Sequence, residues 1–100
     1  MAQFDVYVLA GVQGMLFVDL QSGAVDAFNT RLLAPLVPAE PNLKPIRRVN
    51  CELTFGSTKY LLMPQLMSAI RTQDLGKSIG NIASQRDRIV SALDILFVGI

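Results

Sequence analysis

Asp19, Asp26 and Arg31 gather around the end of one short apolar-alternating stretch. An acid beside a basic partner is a combination able to cleave a phosphodiester. The same residues can instead organise the loop they flank, through Asx-turns and an ion pair, and that is the simpler reading. The chain contains no histidine, so the commonest general base is missing. Its single cysteine, Cys51, cannot assemble a zinc site of ordinary spacing. Gly11-Val12-Gln13-Gly14 lacks the Lys-Ser/Thr pair of a phosphate-binding P-loop and opens no helix. Arg47-Arg48 could touch phosphate, but two solvated charges after a proline-rich loop account for them more simply. Tyr7, Phe17, Phe55 and Tyr60 fall in strand-like segments, where they read as core or flanking side chains rather than as a platform for stacking bases. The residues by themselves identify no reaction.

The elements that must carry these residues form one domain spanning 1–100, since 100 residues bury one core and not two. With 51% hydrophobic and 17% charged residues the chain folds and has apolar surface to spare. Its net charge is +1 and its nine Lys and Arg are scattered, which speaks against direct, charge-driven nucleic-acid binding. Cys51 lies in an alternating apolar pattern and reads as a small buried hydrophobe in a reducing compartment. The first residues carry Asp5 within an apolar stretch and no basic segment, so they read as a strand and not as a signal peptide. No apolar run approaches the ~20 residues that span a bilayer, and we expect a cytoplasmic protein with no membrane partner.

Phe4, Val6 and Val8 alternate with polar neighbours, and Leu16, Val18 and Leu20 repeat the pattern after the Gly11–Gly14 turn, which predicts a hairpin. Arg31 to Val37 has strand content, but Pro35 and Pro38 confine it to an edge or a bulge. PAEPNLKPIRR, with three prolines in eleven residues, reads as a surface loop. Val49, Cys51, Leu53 and Phe55 give the clearest strand, and Gly56-Ser57-Thr58 turns it back into Lys59 to Met63. Between Gln65 and Ala83, Leu66, Met67 and Ile70 fit either a short strand or a helical turn, while Gly76 and Gly80 argue against a long helix. From Ser84 the period changes. Ser84 and Asp87 form a plausible N-cap pair, and 86–98 contains neither Pro nor Gly.

On a helical wheel Ile89, Val90, Ala92, Leu93, Leu96 and Phe97 share one broad stripe, predicted to bury against the sheet. Ile95 and Val98 fall on the other side, near Asp87, Ser91 and Asp94, and should face outward. Gly99 then suits the helix C-cap and lets Ile100 leave the axis. The resulting apolar tip fits a homodimer interface, a cover for a sheet edge or a partner-binding hot spot. The fold class is mainly β, an antiparallel sheet or small barrel with a C-terminal helix.

Leu16-Phe17-Val18-Asp19-Leu20-Gln21-Ser22, the Asp26 and Arg31 that follow, Pro35-Leu36, and Gly99-Ile100 behind a helix together resemble the CcdB toxin family. The resemblance runs end to end. It implies the antiparallel sheet or SH3-like barrel of the CcdB/Kid/MazF type, a bacterial, cytoplasmic homodimer and the toxin half of a plasmid-maintenance toxin–antitoxin system. Such a toxin is a topoisomerase II poison and not an enzyme. It binds the DNA gyrase A subunit and traps the complex of gyrase with cleaved DNA. No cofactor or metal is implied. Carried over by position, the gyrase-binding residues are Ser22, Ala24, Val25, Asp94, Val98, Gly99 and Ile100, with Phe97 secondary, and the outward face of the wheel adds Ile95 to them. The resemblance further implies a CcdA-like antitoxin, through which alone operator DNA is contacted. An endoribonuclease on the related Kid/MazF fold, resting on Asp19, Asp26 and Arg31, and a non-toxic binding homologue are the alternatives.

The chain departs from the family pattern at three of these positions. The best-known form has Trp where this chain has Val98, a larger residue at Ala24, and an uncharged one at Asp94. Valine lacks the area and the cation–π attraction of an indole, a loss of about 1 to 3 kcal/mol at a contact centre.

Overall fold

The computed structural model describes residues 2–9, 14–25, 28–40, 44–46 and 48–99. Its strands are β1 (Asp5–Tyr7), β2 (Leu16–Asp19), β3 (Thr30–Pro38), β4 (Glu52–Phe55), β5 (Thr58–Leu62), β6 (Ser68–Arg71) and β7 (Gly80–Asn81). Short 3₁₀ turns, η1 (Gly23–Val25), η2 (Pro64–Leu66), η3 (Thr72–Asp74) and η4 (Ala83–Gln85), link them, and α1 (Arg86–Phe97) follows. The strands pair antiparallel in the order β4-β5-β3-β2-β1-β7, with β6 also on β3.

β1 and β2 form the predicted hairpin, with Val6 opposite Val18 and Tyr7 opposite Phe17. Its 10–13 turn lies outside the described residues. β3 corrects the expectation of an edge strand, because it is the centre of the sheet. One side pairs with β2 from Leu33 to Leu36, and the other is shared by β6 at 30–33 and β5 at 36–38. Pro35 is tolerated for a local reason. Its carbonyl accepts from Met63 N–H at 2.9 Å, on the side where the chain leaves β5 and turns through η2. The missing N–H of Pro35 therefore points at a break in the ladder, where no partner strand asks for it.

Successive strand residues face opposite sides of a sheet, and here both sides are apolar. On one side Val6, Val18, Ala34, Leu36, Leu53 and Leu62 are buried against Ile89 and Ala92 of α1. On the other, Tyr7 and Leu33 are buried with Leu75, flanked by Leu9, Phe17 and Ile70. Burial of Tyr7 and exposure of Val8 correct the simple alternation expected of β1. The sheet curls. A Cβ on Gly80 of β7 would lie 2.6 Å from the Phe55 ring of β4, so the two outermost strands approach each other and any larger residue would force the ring to move. The fold is thus a curled antiparallel half-barrel with one helix, as the sequence predicts.

Gly56 adopts φ +64° in the two-residue turn between β4 and β5, a conformation that favours glycine. β4 is shorter than its alternation suggests, since Val49 and Asn50 turn back on the Ile46 carbonyl. Asn50 is buried because its side chain ties this turn down, accepting from Ile46 N–H and donating to the Leu62 carbonyl. The proline-rich loop is exposed at Ala39, Glu40 and Lys44 to Ile46.

Candidate functional site

The acid–base cluster is closed. Asp19 is the last residue of β2 and Arg31 the second of β3, and their side chains meet at 2.7 Å with 0% and 1% exposure. The second Asp19 oxygen accepts from Gln21 N–H at 2.9 Å, and Arg31 Nη2 donates to the Gln21 carbonyl at 2.9 Å. This is the loop-organising arrangement, an Asx-turn closed by an ion pair. A buried pair of this kind is fully committed to its partners, and neither side chain can reach a substrate phosphate in this conformation. Asp26 lies outside the described residues. Tyr7 shares this side of the sheet. Burial, and then the carboxylates of Asp5 and Asp19, push its hydroxyl above its ordinary pKa near 10, against a smaller opposing effect of Arg31.

The other predicted positions occupy two separate elements. Ser22 and Ala24 are exposed at η1, where the Ser22 hydroxyl accepts from Ala24 N–H at 3.1 Å and shapes the turn. Val25 closes the same turn. Asp94, Ile95, Phe97 and Val98 belong to the last turn of α1, and Gly99 follows at φ +80°. The Asp94 carbonyl accepts from both Val98 N–H at 2.8 Å and Gly99 N–H at 3.1 Å, so the helix is terminated as the sequence predicts. Ile100 lies outside the described residues.

The wheel needs two corrections. Ile89 and Ala92 are 0% and 1% exposed, while Leu93 and Leu96 are half-buried and Phe97 is 68% exposed. The buried stripe is centred between Ile89 and Ala92, which turns it toward Ile95 and away from Phe97, and burial fades along the helix. Ile95 is accordingly half-buried instead of outward. Val98 does face outward, at 64%. Phe97 and Val98 therefore present two large apolar side chains to solvent in consecutive positions.

Ile95 lines an open groove of about 520 Å³ between α1 and the turn before β4, together with Arg48, Cys51, Asp87, Arg88, Ser91 and Asp94. The helical spacing of Asp87, Ser91 and Asp94 was visible in the sequence. That Arg48 faces them was not, because its turn is set by Val49, Asn50 and a positive φ at Arg48. Cys51 is half-buried, packed against the core on one side and lining this groove on the other. Burial pushes its thiol above the ordinary value of 9.0, against the opposing effects of the backbone and then Arg88. Among the described residues no group of three or more acidic, Cys or His side chains gathers in a way that could hold a metal ion. No helix of the described residues is long and apolar enough to cross a membrane.

The sequence model of the CcdB protein matches residues 3–99, and the chain belongs to the CcdB family, the toxins of CcdA/CcdB pairs.

Proposed function

We propose that this toxin binds the A subunit of bacterial DNA gyrase with the end of α1, assisted by η1, and traps gyrase on cleaved DNA. The observation that carries this reading is the exposed Phe97–Val98 pair beside Asp94 and before Gly99. Exposed apolar side chains next to each other on a rigid helix are what a partner-binding hot spot requires. Ser22, Ala24 and Val25 extend the contact from η1, and Ile95, Gly99 and Ile100 complete it at the helix end. The toxin acts as a homodimer in the bacterial cytoplasm, where a CcdA-like antitoxin neutralises it and makes the operator contacts. Poisoning of this kind uses surface complementarity and needs no catalytic group on the toxin.

Purified protein mixed with gyrase and supercoiled DNA should yield linear DNA after detergent and protease. Deleting Val98 to Ile100 should abolish that product while circular dichroism remains that of the folded protein. Linear DNA in undiminished yield from the folded truncated protein overturns the proposed contact.

A further inference from the structure

Among the described residues β4 ends the sheet order, and one of its edges has no hydrogen-bonded neighbouring strand. The Cys51 carbonyl accepts from Leu62 N–H on the β5 side, which turns the backbone groups of Glu52 and Thr54 the other way, outward. Side chains from the start of α1 occupy that edge. Thr54 N–H donates to Gln85 Oε1 at 2.8 Å, and Gln85 Nε2 donates back to the Thr54 carbonyl at 2.7 Å. Arg88 Nη1 donates to the Glu52 carbonyl at 3.0 Å. The primary amide of Gln85 thus closes the same two-bond ring that a residue of a paired strand would close with Thr54.

The helix gains nothing from this side chain. Gln85 holds the N-cap position of α1 and makes no capping hydrogen bond; Ser84, the residue with a hydroxyl suited to capping, sits one place too early, inside η4. Gln is a poor N-cap by type. Its amide is directed at the strand instead. Other protection of this edge is weak, because the Glu52 carboxylate that would repel a second copy is partly neutralised by Lys59 at 3.6 Å.

We propose that Gln85 and Arg88 act as a side-chain strand that seals the outer edge of β4 against antiparallel pairing with a second copy of this chain. The partner is a second copy because an antiparallel edge is self-complementary about a two-fold axis, and identical chains supply it at every concentration. The seal is independent of the helix end proposed to bind gyrase.

The test uses the full chain carrying Gln85→Ala with Arg88→Ala, and Gln85→Met alone, which keeps side-chain volume without the amide. Hydrogen exchange at Thr54 should accelerate about two- to ten-fold in both, as expected when one ordinary hydrogen bond is lost. Sedimentation velocity of the double variant should show concentration-dependent species larger than those of the unmodified protein. Adding Thr54→Pro, tolerated on an outward edge position, should suppress those species. Unchanged Thr54 exchange in folded variants overturns the proposal. So does association that persists with Thr54→Pro, since it would then arise from unfolding and not from the edge.

Discussion

The two regions that attract notice in this chain behave in opposite ways. The Asp19–Arg31 pair has the residue types of an active site, yet it is sealed at the junction of β2 and β3 with its main groups satisfied. The last turn of α1 carries a single ionisable side chain, Asp94, yet it sets Phe97 and Val98 in solvent. Charged residues at suggestive spacing here hold a loop, and apolar residues at helical spacing are left in solvent. Burial, and not residue type, distinguishes the two regions.

Breaking the sealed region should have the larger effect on stability. Asp19→Ala removes the carboxylate 2.7 Å from the buried Arg31 guanidinium, and should lower unfolding free energy by about 3 kcal/mol in urea titration. Replacing both partners, as in Asp19→Leu with Arg31→Met, should cost much less, because no buried charge is stranded. If the two variants are equally destabilised, the pair is not held by the balance argued here. At the open region the sharper change is a gain. Val98→Trp should tighten gyrase binding by about 1 to 3 kcal/mol in calorimetry, and leave the urea midpoint nearly unchanged. A large loss of stability would show that Val98 packs inward.

The smallest effect belongs to Tyr7 and to alkaline pH. Its hydroxyl is held protonated in the folded protein above the ordinary pKa near 10. The unfolded chain releases that proton first, so stability is intact below about pH 10 and falls as pH rises beyond it. Tyr7→Phe should flatten this alkaline decline while leaving helix-end binding untouched. An unchanged slope would place its cause elsewhere.

Much of this contrast was legible in the residue pattern. The β1–β2 hairpin, the Gly56 turn and the Gly99 helix stop follow from alternation and turn chemistry, which are local. The ion pair was also readable, because Asp19 and Arg31 flank one loop. What escaped was set by tertiary placement. Pro35 sits in the central strand because η2 interrupts its neighbour at that point, and no sequence window around Pro35 contains that information. The wheel identified the helix and most of its buried residues but misplaced its centre. Phe97 and Ile95 exchanged roles because the sheet covers the helix from the Ala92 side and only along part of its length. Gln85 was silent for a similar reason, since its partner Thr54 is distant in sequence.

Phe97→Ala tests most directly whether the exposed helix end binds gyrase. Calorimetric titration of a gyrase A fragment should show binding weakened about 30-fold or more, the loss of one hot-spot aromatic. Thermal unfolding of the same variant should match the unmodified protein, as befits a side chain that is 68% exposed. Equal affinity for gyrase, or a substantial drop in stability in its place, would contradict the account.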